Sequence, residues 1–140
     1  MKLRFLLGLT LAAALGWPVA VSAQEPLKLR VMTFNLWHGG DAGGKPLEKT
    51  VEVIRAAEAD LVGLQETGGY APTEQGPRPD RARQIAAALG WHYLDQGGRT
   101  GVISRYPIME ATSNKWGVRI QAPGGAELYL FNCHLSPAPY

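Results

Sequence analysis

The 140-residue chain has room for an export segment and one small domain, and its formal charge of +2 comes entirely from Lys2 and Arg4. Every acidic residue lies beyond position 23, so the remainder holds equal numbers of basic and acidic side chains and lacks the positive excess of proteins that grip nucleic-acid phosphates. Cys133 is the only cysteine, which excludes an internal disulfide and a cysteine-built zinc site.

Residues 1–23 read as a signal peptide: Lys2 and Arg4 supply positive charge, residues 5–15 are apolar, and Val21-Ser22-Ala23 resembles a small-residue cleavage site. The apolar core is shorter than the roughly 20 residues a spanning helix needs, and Pro18 follows it closely, which favours cleavage over an anchor. The exported chain is then expected to start near Gln24, in the periplasm or outside the cell, with no transmembrane helix left after cleavage.

Residues 27–37 begin with strand alternation, Leu29, Val31 and Thr33 on one face against Lys28, Arg30 and Met32. They then turn apolar on both faces, as in a strand entering a buried sheet. Residues 38–44 carry four glycines and are expected to form a mobile loop. Pro46 suits a first helical turn, and Leu47, Val51, Ile54 and Glu58 recur at helical spacing with Ala57 beside them, predicting a helix that ends near Ala59. Asp60 leads into a second apolar strand, residues 61–66. After a loop over 67–79, Asp80 is a suitable N-cap for a helix carrying Ala82, Ile85, Ala86 and Leu89, with Gly90 at its stop. Short strands are expected at 91–94, 101–104, 108–112, 116–121 and 127–134, separated by Gln96-Gly97-Gly98, Tyr106-Pro107 and Ala122-Pro123-Gly124-Gly125.

A strand, a helix and a second strand in this order make a right-handed unit with parallel strands, so Asn35 and Glu66 should emerge at one edge of a sheet. Ligands of open α/β sheets bind at that edge, and a carboxylate beside an amide oxygen suits a hard cation. An isolated glutamate is more often solvated, and an asparagine after a strand more often makes a turn. The shared edge is what favours the ligand reading for both.

Four segments in order, Val31-Met32-Thr33-Phe34-Asn35-Leu36-Trp37, Asp60-Leu61-Val62-Gly63-Leu64-Gln65-Glu66, Gly101-Val102-Ile103-Ser104-Arg105-Tyr106-Pro107-Ile108 and Leu130-Phe131-Asn132-Cys133-His134-Leu135, resemble the amino-terminal portion of the endonuclease/exonuclease/phosphatase superfamily. Deoxyribonuclease I-like nucleases, abasic-site endonucleases, neutral sphingomyelinases and inositol-polyphosphate phosphatases belong to it. The resemblance implies an α+β fold, the amino-terminal half of a four-layer α/β/β/α sandwich. It also implies hydrolysis of a phosphate ester by activated water with Mg²⁺, or Mn²⁺ or Ca²⁺ in its place. Glu66 matches the principal metal ligand, Asn35 a residue beside the metal that holds phosphate or a coordinated water, and His134 a histidine that orients or protonates the scissile phosphate. The substrate is left between nucleic acid and a phospholipid head group.

Other candidates are weaker. His38 adjoins Asn35 on a loop and could touch substrate, whereas His92 reads as structural. Cys133 is expected to be a small buried residue, because its side chain should point away from that of His134. Trp37, Trp91, Trp116 and Tyr129 are expected as core or edge fillers, and Arg78, Arg81 and Arg83 form a basic cluster that could steer an anionic substrate but reads first as a solvated helix face. The family's later Asp-x-Asn segment and final Asp-His pair have no counterpart here, since no aspartate follows Asp95. The family domain runs to about 250 residues, so residues 24–140 are expected to form a truncated, incomplete domain, inactive alone, with strand faces lacking a partner sheet and open edges. A non-catalytic binding or structural module that retains part of the sandwich is the rival reading.

Overall fold

A computed structural model of the protein describes residues 26–135, so the expected signal peptide lies outside the described residues. Strand β1 (Val31–Asn35) is followed by 3-10 turns over His38–Gly43, helix α1 (Leu47–Ala56), strand β2 (Leu61–Gln65) and helix α2 (Arg81–Leu89). Strands β3 (His92–Gly97), β4 (Thr100–Ser104), β5 (Ile108–Ala111), β6 (Gly117–Gln121) and β7 (Glu127–Phe131) complete the order. One sheet runs β1-β2-β4-β3 and a second runs β5-β6-β7. β1 and β2 are parallel, as the strand-helix-strand pattern requires, and the other pairings are antiparallel.

Every residue of β2 is buried, and its alternation organises both cores. Val62 and Leu64 join Val51, Ile54, Ala82, Ile85 and Ile103 in the cluster beneath the helices. Leu61 joins Val102, Val118 and Ile120 in the cluster between the sheets. Each such side chain contributes about 1.5–3 kcal/mol on leaving water. The result is three layers, helices over the first sheet over the second, in the α/β/β order expected for the amino-terminal half of the sandwich.

Helix α2 follows its sequence signals: the Asp80 side chain accepts from Arg83 N at 3.1 Å, and Gly90 closes the helix at φ 69°. Helix α1 ends three residues earlier than expected, and Ala57 and Glu58 are both exposed beyond it. Glu58 adopts φ 49°, which turns the chain toward β2, and Ala59 takes the buried place instead.

Several expectations are corrected. The glycine-rich segment after β1 is not a featureless loop: its 3-10 turns are kinked at Gly39 and Gly40 and tied by Gly39 N to Glu66 O at 2.7 Å. β1 is an edge strand with only one face covered, because Met32 and Phe34 pack inward while Val31 is exposed. The inner faces of the first sheet do have a partner sheet, since β5, β6 and β7 cover them. The second sheet's other face leaves Met109, Tyr129 and Phe131 exposed, and Trp37 and Trp116 are exposed and fill no core, whereas Trp91 packs against the cluster beneath the helices and Tyr129 lies on the edge strand β7. β3 continues through Gln96 and Gly97, where a turn was expected, and β7 stops at Phe131 rather than His134. Among the described residues, no helix is long and apolar enough to cross a membrane.

Candidate active site

Parallel pairing sets Asn35 opposite Gln65, so the residue after β2, Glu66, arrives beside Asn35 at the carboxyl edge of the sheet. Asn35 Nδ2 donates to Glu66 Oε1 at 3.0 Å, and Asn35 Oδ1 accepts from Trp37 N at 2.8 Å. His38 N donates to the other carboxylate oxygen, Oε2, at 3.2 Å. His134 completes the group, its Nε2 lying 3.6 Å from Glu66 Oε1. The three residues singled out as catalytic or metal-holding thus meet at one rim, although they come from β1, β2 and the segment after β7.

The backbone is bent to make this meeting. Glu66 adopts φ 53°, and Trp37 and His38 on the same rim adopt φ 49° and 56°. A left-handed conformation costs a residue with a side chain about 1 kcal/mol, and such strain collects where structure serves a site. Thr67 N donates to Arg99 O at 3.0 Å, which holds the chain just beyond Glu66.

The Asn35 hydrogen bond is the main influence on Glu66 and lowers its pKa below the usual carboxylate value. Partial burial opposes this, and the His38 N–H and the His134 and His38 charges add to the lowering. Glu66 is therefore an anion near neutral pH. Its carboxylate oxygens face the rim, and Asn35 Oδ1 keeps a second lone pair after accepting from Trp37. No three His, Cys, Asp or Glu side chains gather as a metal cage among the described residues. Mg²⁺ does not require one, because it keeps several waters and binds through one or two carboxylates. The oxygen donors at the rim fit such an ion.

Asp41 and Arg81, which the sequence reading did not pair, fasten the turns beside Glu66. Arg81 NH2 donates to Asp41 Oδ1 at 2.7 Å and Oδ2 at 3.0 Å, and Tyr70 N donates to Oδ2 at 2.7 Å. Burial opposes ionisation of Asp41, but the Arg81 hydrogen bond, the Tyr70 N–H and the Arg81 charge together leave its pKa lowered. The His38 ring lies against Tyr70, centroids 5.3 Å apart. Arg81 is therefore not part of a solvated face, whereas Arg78 is exposed and Arg83 lies over the Tyr93 ring.

Cys133 is exposed, contrary to expectation. Asn132 before it turns inward and is buried, so alternation sends Cys133 out. His92, at the start of β3, pairs with Ser104 at the far end of the sheet and is not brought to the rim. A 260 Å³ cleft lined by Gln96, Thr100, Trp116, Asn132 and His134 opens on the His134 side of the rim. A larger cavity of 740 Å³ lies at the opposite end of the sheet, lined by Arg30, Glu58, Asp60 and Arg105, whose charges already pair with one another. Of the rim residues described above, His134 lines the smaller one.

Two packed sheets with helices on one outer face, and a carboxylate, an amide and an imidazole at the carboxyl edge, place the chain among α+β two-sheet sandwich folds. The Endonuclease/Exonuclease/phosphatase family model matches residues 32–136, and the chain belongs to that family. Members of this family are generally metal-dependent phosphoesterases. An endonuclease/exonuclease/phosphatase family protein from Leptotrichia buccalis C-1013-b is similar in structure, with TM-score 0.50 and 14% identity over 78% of this chain and 54% of that one. The crystal structure of an endonuclease/exonuclease/phosphatase from Beutenbergia cavernae DSM 12333 is similar with TM-score 0.55 and 25% identity, over 79% of this chain and 39% of that one. The chain thus spans about half, or less, of the length of these solved relatives. No curated protein matches.

Proposed function

We propose that the whole protein is an exported, Mg²⁺-dependent hydrolase of phosphate esters, with Mn²⁺ or Ca²⁺ as substitute ions. The observation that carries this reading is the meeting of Glu66 with Asn35 at 3.0 Å and with His134 at 3.6 Å on one rim. Export is supported by the basic and apolar run before Gln24.

Glu66 would hold the cation, which when bound draws charge from a phosphate oxygen and from the leaving oxygen. Asn35 Nδ2 and His38 N fix the two carboxylate oxygens, so the ligand is preorganised rather than recruited. His134 Nε2 would donate to a phosphoryl oxygen as negative charge builds there. Positioning and charge stabilisation dominate phosphoryl transfer, and these residues supply both. The equal count of basic and acidic side chains beyond position 23 favours neither nucleic acid nor a phospholipid head group as the substrate.

The test is hydrolysis of bis(p-nitrophenyl) phosphate by the full-length protein, with and without EDTA, together with Mn²⁺ binding. The expected result is loss of turnover on chelation, recovery with Mg²⁺, and a loss of about 100-fold or more in Glu66→Gln. Undiminished turnover after thorough chelation excludes the mechanism. Absence of turnover, with cation binding indifferent to Glu66→Gln, favours a non-catalytic module.

A further inference from the structure

Three primary amides lie buried beneath the Glu66–His134 rim, where the two sheets meet. Gln65 ends β2, Gln96 lies in β3 and Asn132 follows β7, and they are 7%, 8% and 6% exposed. Asn132 Oδ1 accepts from Gln65 Nε2 at 2.6 Å. Asn132 Nδ2 donates to Gln96 Oε1 at 2.7 Å and to the carbonyls of Leu64 and Gly101 at 3.0 and 3.2 Å. Gln96 Nε2 donates to the carbonyls of Lys115 and Trp116 at 2.8 and 2.9 Å, so it also grips the turn that leads into β6. The first sheet makes room for this: a Cβ on Gly63 would sit 2.8 Å from Asn132 Oδ1.

Burying three amides is costly unless every donor and acceptor is paired, and aliphatic side chains would fill the same space without that demand. What amides add is direction. The core between the sheets, Leu61, Val102, Val118 and Ile120, is apolar, and its burial favours contact without fixing a direction. A hydrogen bond weakens steeply once its angle is lost. The placement of the amides is equally specific: Gln65 immediately precedes Glu66, and Asn132 precedes His134 by two residues.

We infer that Gln65, Asn132 and Gln96 are positioning residues that lock the register between the sheets and thereby hold the His134 imidazole against the Glu66 carboxylate. Glu66 belongs to the first sheet and His134 to the chain leaving the second. The apolar contacts between the sheets are non-directional, whereas the amide bonds fix where the two side chains meet. The inference rests on the reading of Glu66 as a cation-holding carboxylate, because a cation there reports the distance to His134.

The test uses Mn²⁺ alone as a paramagnetic probe of the full-length protein carrying ¹³C-labelled histidine. Broadening falls with the sixth power of distance from the ion, and the His134 and His92 signals are assigned with His134→Gln and His92→Gln. In the wild type, His134 and His38 should broaden together while His92, at the far end of the sheet, stays sharp. In Asn132→Leu, which keeps the branched heavy-atom skeleton but removes the polar atoms, His134 broadening should fall severalfold while His38 broadening persists. A purely structural role would lower the melting temperature and leave that ratio unchanged. Gln96→Met, which removes the grip on Lys115 and Trp116 and the Asn132–Gln96 bond but keeps Gln65–Asn132, is the second variant and decides the matter if Asn132→Leu does not fold. Equal His134 broadening in a folded variant overturns the inference and leaves the cation site standing. Absence of broadening at both His38 and His134 in the wild type overturns the cation site and the inference with it.

Discussion

Asp41→Ala tests whether the turns beside Glu66 are held by a partly buried charge pair. Asp41 accepts two contacts from Arg81 and one from Tyr70 N, all between 2.7 and 3.0 Å, and the Arg81 and Asp41 side chains are only 26% and 19% exposed. A hydrogen bond to a charged group contributes about 1.5–3 kcal/mol, and breaking a fully buried pair costs about 3–5 kcal/mol. With water able to reach a fifth to a quarter of each side chain, the expected loss is about 2–3 kcal/mol. In urea, where small proteins lose about 1–3 kcal/mol per molar, this is a midpoint shift of about 0.7–3 M. Asp41→Asn, which can still accept from Tyr70, should lose less. A double-mutant cycle with Arg81→Met isolates the pair, and its coupling energy should be about 1–2 kcal/mol. Because folding lowers the Asp41 pKa from its ordinary 3.8, the contribution is complete above that value and disappears as pH falls through the lower folded value. The stability gap between wild type and Asp41→Ala should therefore close only in strong acid. A coupling below about 0.5 kcal/mol would mean an ordinary solvated surface bridge and would refute the reasoning.

Gly63→Ala should destabilise by about 1–3 kcal/mol through overpacking, since its new carbon would meet Asn132 Oδ1 at 2.8 Å, and thermal melting measures the loss. Ile54→Ala, at a fully buried position beneath the helices, should cost about 2–5 kcal/mol in urea unfolding, and a loss under 1 kcal/mol would contradict the packing described. A carboxyl ¹³C titration of the metal-free protein should place Glu66 below its ordinary 4.5, and Asn35→Ala should raise it, because the Asn35 hydrogen bond is the largest influence. A Glu66 midpoint unmoved by Asn35→Ala would deny the contact.

What was legible in the sequence is what depends on near neighbours or on topology. Asp80 and Gly90 announce the ends of α2 because a cap and a left-handed stop act within a few residues of themselves. The meeting of Asn35 and Glu66 spans 31 residues, yet it was legible because a right-handed parallel unit leaves those two strand ends nowhere else to go. The Asp41–Arg81 pair at a separation of 40 residues and the Gln65–Asn132 bond at 67 have no such constraint. Each joins residue types that are ordinarily solvated, so composition and periodicity argue against the partnership that forms. Cys133 shows the same limit at short range: reading β7 through His134 assigned it a buried face, but the inward turn of Asn132 put it in solvent. The buried amides and the exposed cysteine therefore have one cause. Where the chain leaves β7, hydrogen-bond demand between the two sheets decides which side chain faces inward, and hydrophobicity does not.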